Sequence, residues 1–386
     1  MTDMVVRVEV PTELISWALE RSGFSVDDLA HRFPKLEDWE AGEAAPTLKQ
    51  LENFASATHT PLGFFFLSEP PDEPLPLPDF RTMGDQEIQR PSADLLDTLF
   101  NIQQRQDWYR DYVLATGEQP LSFVGSLDTS YDVVEIAKDL RDLLGFQVGE
   151  RGSDWGEAFR RLVDGAEDLG ILVMVNGVVG NNTHRKLNPR EFRGFALSDE
   201  YAPAVFVNGA DTKPAQIFTL AHELAHIWLG ESALSDVDLG RTPENAKELW
   251  CNQVAAELLV PMRAFRRIYN ASAMLTDELE RLARWFKVST LVILRRIKDA
   301  GYVDLSTFVT QYQIELARIM RILSEQDKGS GGNFYNTQSV RTGRRFTRAL
   351  VSSALEGQTL YRDAFQLLGV KKLSTFQELA SRLGVA

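Results

Sequence analysis

His222, Glu223 and His226 stand together in the segment FTLAHELAHIWLG, residues 218–230. On an α-helix a spacing of four residues turns the chain by about 400°, so the two imidazoles project from one face, about one turn apart. Two nitrogens placed that way can ligate one Zn2+ at about 2.0–2.1 Å. Glu223 follows His222 by about 100° around the helix, which sets it beside such a metal and not on it. A carboxylate there can take a proton from a water and pass it to a leaving amine. The five-residue pattern alone is only suggestive. Its flanks strengthen it, because Phe218, Leu220, Ala221, Leu224, Ala225, Ile227, Trp228 and Leu229 make the helix almost wholly apolar. A buried helix holds His, Glu and His on adjacent faces only where those groups find partners. Core histidines satisfied by neighbours are the competing and weaker reading.

A zinc site of this kind takes a third protein ligand and leaves a fourth position to water. The best candidate is Glu248, in ELWCNQVAAELLVP (248–261). Asn252 lies four residues on and shares its face, so it is a candidate to orient a ligand. Glu257, nine residues after Glu248, points about 180° away, and only one of the two can face the site. Glu248 is preferred for its polar neighbour, whereas Glu257 sits among Ala256, Leu258 and Leu259 and reads as an anchor to another element. The single cysteine, Cys251, reads as a small buried hydrophobe. His184, in the polar loop GNNTHRK (180–186), could line the cleft and stabilise an oxyanion, although a solvated loop histidine is the plainer reading. Tyr201 has a similar weak claim.

These residues need elements to hold them. Hydrophobic periodicity predicts helices over 214–229 and 244–259, the latter stopped by Pro261, and amphipathic helices over 92–116, 130–144 and 154–168. Short apolar runs predict strands at 171–175, 192–197 and 204–207. Residues 11–67 read as a set of short helices: Thr12 caps the first, Ser25 and Asp28 open the second in a capping-box-like pattern, Pro46-Thr47 starts a later one, and Pro61 opens the last. Prolines at 70, 71, 74, 76 and 78 exclude helix and central strand, leaving an extended connector. KGSGGNFYNT (328–337) reads as a loop, and the rest of the C-terminal part as helical. The expected fold class is α+β, mostly helical, with a small sheet and the active-site helix forming a zincin-like core between helical domains. The expected domains are a helical one over 1–70, a Pro-rich linker over 71–90, the catalytic domain over 91–270, and a helical domain over 271–386.

With 386 residues, 44% of them hydrophobic and 25% charged, the chain is long enough for two or three globular domains. No apolar run approaches the ~20 residues that cross a bilayer. The opening MTDMVVRVEVPTEL mixes acids into a short apolar stretch, unlike a signal peptide. One cysteine excludes an intrachain disulfide. The expected location is the cytoplasm. The net charge of -14 hides an asymmetry: residues 261–386 hold 20 Lys/Arg against 11 Asp/Glu, or +9, so the remainder carries -23.

The segments EFRGFAL (191–197), PAVFVN (203–208), QIFTLAHELAHIWLG (216–230) and ExxCNxxAAELLVP (248–261) resemble those of the ImmA/IrrE metallo-endopeptidases. WALERSGFSVDDLA (17–30), WEAGEAAPT (39–47) and PLGFFFLSEPPDEPLPLPDFRT (61–82) resemble the helix-turn-helix of Xre-type regulators that some members carry. The resemblance implies Zn2+ held by His222, His226 and Glu248, with Glu223 as catalytic base. It implies regulated cleavage of a partner regulatory protein, commonly a repressor, in stress, mobile-element or toxin–antitoxin settings. Cys251-Asn252 is a mild departure from the family pattern after the ligand glutamate and touches no proposed ligand.

Charge argues against DNA as the partner of the N-terminal helices. Residues 1–70 carry five Lys/Arg against twelve Asp/Glu, a balance of -7, and PKLEDWEAG offers Glu37, Asp38 and Glu40 against Lys35 alone. Such a surface repels phosphates and fits a protein-interaction module better. A second helix-turn-helix candidate lies at 278–303, where Ser289 would cap a helix presenting Arg295, Arg296 and Lys298. An ordinary helical hairpin with a solvated basic face is an equal reading. Arg341, Arg344, Arg345 and Arg348 form another basic patch, suited to nucleic acid or to an acidic partner. The leading expectation is a zinc metallopeptidase; the alternative is a regulator or antitoxin that uses the same fold for binding without proteolysis.

Overall fold

The computed structural model describes residues 6–73, 75, 77–78, 91–235, 240, 243, 245–326 and 340–385, the side chains of 323–326 excepted. The expected loop at 328–337 and most of the connector at 71–90 lie outside the described residues. The chain divides into two compact units, one reaching Phe100 and one running from Asn101 to the C-terminus, with Leu77 and Pro78 assigned to the second.

The N-terminal unit contains α1 (Thr12–Ser22), α2 (Val26–Ala30), α3 (Leu36–Glu40), α4 (Leu48–Ala57) and a short 3-10 turn at Leu62–Phe66. Ser25 and Asp28 form a full capping box at α2, and Thr47 and Gln50 form another at α4. Thr12 is the first helical residue of α1 and does not cap it; Pro11 occupies the cap position with no side-chain hydrogen bond. Leu14, Trp17, Phe33, Trp39, Leu51, Phe54 and Phe65 are among the buried residues of its own core. The division between the units falls within α5 (Ala93–Ala115).

The second unit continues with α6 (Val133–Leu143), α7 (Trp155–Asp168), β1 (Leu172–Asn176), β2 (Gly194–Leu197) and β3 (Ala204–Asn208). It then runs through α8 (Lys213–Leu229), β4 (Ala233–Ser235), α9 (Ala246–Leu259), α10 (Met262–Ile268), α11 (Leu275–Phe286), α12 (Thr290–Asp299) and α13 (Leu305–Gln326). The last three described helices are α14 (Arg344–Leu355), α15 (Tyr361–Leu368) and α16 (Leu373–Leu383). The four strands form one sheet in the order β1-β3-β2-β4, with β1 parallel to β3 and the other pairs antiparallel. The fold is α+β and mainly helical. Every residue of β1, β2 and β3 is buried, which explains why these strands read as continuous apolar runs without alternation. Strand β4 is absent from the sequence-based expectation, since three residues carry no readable period. Among the described residues no helix is long and apolar enough to cross a membrane.

Helix α8 packs on β2 and β3, and α9 packs against α8 and α6. Thr212 caps the start of α8 by accepting from the Ala215 N–H, and Gly230 ends it in the left-handed conformation at φ 70°. Glycine is required there twice over, because a Cβ on Gly230 would also stand 2.8 Å from the Cα of Gly125. Asn245 caps α9 through the Lys247 N–H and so sets Glu248 in its first turn. The far end of α9 is held by two buried arginines. Arg141 donates to the carbonyls of Glu257 and Leu258, and Arg151 to those of Leu258, Leu259 and Phe286. These satisfy carbonyls that a helix C-terminus leaves unpaired.

Candidate metal centre

The sequence of α8 places its polar residues in the interior. His222, Glu223 and His226 are each 0% exposed and Glu248 is 1% exposed. The imidazoles of His222 and His226 stand 4.8 Å apart between ring centroids. Their Nε2 atoms approach to 3.1 Å. One carboxylate oxygen of Glu248 lies 3.2 Å from His222 Nε2 and the other 3.0 Å from His226 Nε2. Two imidazole nitrogens and the two oxygens of one carboxylate therefore converge, with neighbouring separations of 3.0, 3.1 and 3.2 Å. A tetrahedral zinc with bonds of about 2.0–2.1 Å requires donor–donor separations of about 3.3 Å, and each of these contacts lies within a few tenths of an ångström of that.

Polar satisfaction points the same way. Neither oxygen of Glu248 receives a hydrogen bond, and neither does Oε1 of Glu223, Nδ1 of either histidine, or Oδ1 of Asn252. Buried polar atoms left this way are costly, and a cation bound among converging nitrogen and oxygen atoms relieves that cost. The donor set of two imidazoles and one carboxylate suits Zn2+. Among the described residues, these three form the one group of His, Cys, Asp or Glu able to hold a metal.

Charge in the site is strongly coupled. Burial works against the His222 imidazolium, but Glu248 beside it outweighs that and the pKa is raised. Burial lowers the pKa of His226. Burial alone would raise Glu248, yet the two imidazoles hold it down to about 2. Burial pushes Glu223 up to about 8, against the pull of the His222 charge and with the Glu248 carboxylate adding to the push. The centre therefore holds one carboxylate fit to bind a cation and another poised to keep or release a proton near neutrality.

Residues 166–298 match the family model of the IrrE N-terminal-like domain, Peptidase_M78. This stretch of the chain is similar to a metallopeptidase family. The match covers less than half of the chain and runs from the end of α7 through the sheet, α8 and α9 into α12. Residues 342–382, holding α14 to α16, match a model described as a domain of unknown function (DUF8813). Neither stretch includes the N-terminal helices. No curated protein matches the chain.

Two residues of the site lie outside the expectations drawn from the sequence. Ser235 of β4 is fully buried, with its hydroxyl 3.4 Å from Glu223 Oε2 and 3.3 Å from His226 Nε2. Gly194, the first residue of β2, lies under the base: a Cβ there would stand 3.3 Å from Glu223 Oε1 and 2.6 Å from Thr219 Cγ2. A glycine opening an apolar strand signals close approach of another group, and EFRGFAL contains that signal.

The remaining candidates fall elsewhere. Asn252 is beside His222 and favours its charged form. His184 is exposed in its loop, its backbone N–H bonded to Asn182, whereas the metal centre is buried. Tyr201 lies in the turn between β2 and β3, at the opposite end of β2 from Gly194. Arg296 is 6% exposed and forms a buried ion pair with Glu257, so its guanidinium is closed to a phosphate. Arg295 pairs with Asp299 and lies over the Phe308 ring, and Lys298 also approaches Asp299. Helix α12 buries Leu291, Val292, Ile293, Leu294 and Ile297 and packs on α11 and α13, unlike a helix presented to a DNA groove. Arg345 donates to the Tyr109 hydroxyl and to the Glu167 carbonyl, and Arg341 to Asn181. Arg344 and Arg348 remain exposed at the start of α14.

Proposed function

We propose that the chain is a zinc-dependent metallo-endopeptidase of the ImmA/IrrE type that cleaves a partner regulatory protein. The observation that carries this reading is the convergence of His222, His226 and Glu248 at 3.0–3.2 Å beside a Glu223 oxygen that has no hydrogen-bond partner. His222, His226 and Glu248 would hold the metal. Zn2+ bound there supplies Lewis acidity, polarising a carbonyl and lowering the pKa of a water. Glu223 then takes the proton from the attacking water and delivers it to the leaving amine nitrogen. A dication next to Glu223 favours its ionised form, which reverses the upward push of burial. Ser235, within 3.4 Å of Glu223 Oε2, steadies that carboxylate. Asn252 lies next to His222 and would orient the imidazole through its Oδ1, which has no other hydrogen-bond partner. A regulatory protein, such as a repressor or a neighbouring toxin or antitoxin, is the substrate class that the resemblance implies. The N-terminal unit is proposed to bind that partner or a regulator and not DNA, because its surface is acidic.

Zinc-loaded chain should cleave the protein encoded beside it, and Glu223→Ala should keep zinc while losing about 10²–10⁴-fold in rate. Equal activity in that variant removes the catalytic role. Burial of all four site residues at 0–1% exposure favours one second reading, a regulator or antitoxin that binds without turnover. Retention of biological function by Glu223→Ala would support it.

A further inference from the structure

The sheet ends at β4, whose outer edge has no strand beside it among the described residues. Leu234 stands opposite Phe195 of β2, and its N–H donates to the carbonyl oxygen of Pro78 at 3.0 Å. In an antiparallel ladder, residues alternate between bonding inward and outward, so Leu234 is the β4 residue that offers its backbone to the outside. Leu77, the residue before Pro78, is 6% exposed. Leu77–Pro78, from the stretch expected to be an extended connector, is therefore seated on the sheet edge. It lies one residue along the strand from Ser235, whose hydroxyl touches both Glu223 and His226.

Strand addition to an open sheet edge is a common way for a protein to hold an extended peptide. At β4 it would lay that peptide next to the metal centre. We propose that Leu77–Pro78 is a resident competitor for this edge, so that a substrate must displace it to reach Glu223. The composition of the occupant supports this role. In an antiparallel pair, the return bond to Leu234 would come from the N–H of residue 78, which a proline lacks. Prolines at 74 and 76 likewise remove donors from the same stretch. Such a segment covers the edge but is a poorer partner than a substrate strand that keeps its N–H groups. Being on the same chain, it competes at high effective concentration, and the weak pairing is what makes it displaceable.

The consequence for turnover rests on the peptidase reading, but the test does not. Full-length chains carrying Glu223→Ala are compared with and without Leu77→Asp, with Leu77→Ala as a milder variant should the aspartate disturb folding. Hydrogen exchange at the Leu234 amide should quicken about fivefold to tenfold when Leu77 is replaced. A labelled proline-free peptide of alternating threonine and valine should bind about fivefold or more tightly to the replaced chains by fluorescence anisotropy. An unchanged Leu234 exchange rate shows that the segment does not cover the edge and overturns the proposal. Faster exchange with equal peptide affinity, or with no binding to any chain, also overturns it. The contact would then be edge protection only. Failure of the zinc or cleavage experiments would leave these binding results standing, so the two readings can fail separately.

Discussion

Glu248 and Glu257 sit on one helix, α9, nine residues apart, at 1% and 5% exposure. Their surroundings are opposite. Glu257 accepts from the Met262 N–H with both oxygens and pairs with the Arg296 guanidinium, so its charge is balanced within the chain. Glu248 faces two imidazole nitrogens and receives no hydrogen bond on either oxygen. One end of α9 is a finished scaffold, reinforced by Arg141 and Arg151 on the helix carbonyls. The other end brings a carboxylate against two imidazoles on the neighbouring helix. Burial alone does not separate a structural carboxylate from a functional one; polar satisfaction does.

The largest effect that can break this comparison is expected at the finished end. Arg296→Ala leaves Glu257 buried and unpaired and should destabilise the fold by about 3–5 kcal/mol in urea denaturation. Replacing both partners, Glu257→Leu with Arg296→Met, should cost far less, and a small loss in the single variant would show that the pair is not scaffold. Glu248→Gln should behave the other way. Its metal-free stability should stay within about 1 kcal/mol, while zinc affinity measured by competition with a chelator falls at least about a hundredfold. Asn252→Ala should lower zinc affinity by about tenfold to a hundredfold, with the fold intact, through loss of the neighbour that orients His222.

A third buried glutamate sharpens the contrast by the smallest expected effect. Glu167 accepts from the Arg345 N–H at the start of α14, and burial pushes its pKa up to about 7. The folded chain keeps this proton up to about pH 7, whereas the unfolded chain releases it near 4.5. The stability it contributes is full below about pH 4.5 and declines as pH rises through 7. Glu167→Gln keeps the accepting oxygen and should abolish that decline, leaving the variant about 1–3 kcal/mol more stable at pH 8 and equal to the wild type at pH 4. Denaturation at the two pH values checks it; a parallel decline in the variant would contradict it.

Local chemistry was legible in the sequence and long-range chemistry was not. The spacing of His222 and His226 and the angle between Glu248 and Glu257 follow from helix geometry, and the structure places all four as those angles require. The capping box of Ser25 and Asp28 is equally local. A basic run in an amphipathic helix reads as solvated, whereas Arg296 is buried against Glu257, a partner 39 residues away. Ser235 was missed because β4 has three residues and its identity as a strand depends on β2. The strand expected from Phe192 begins instead at Gly194, where the chain pairs with β3 and β4. The seat of Leu77–Pro78 on β4 joins positions 156 residues apart (234 − 78 = 156), beyond any local pattern.

The central claim is that α9 carries one metal ligand and one scaffold carboxylate. The most direct test is the zinc content of the purified full chain by plasma mass spectrometry, comparing wild type, Glu248→Gln and Glu257→Gln. The account predicts one zinc per chain in the wild type, near none in Glu248→Gln after dialysis against a mild chelator, and one per folded chain in Glu257→Gln. A folded wild type without stoichiometric zinc, or equal zinc in the two variants, would contradict it.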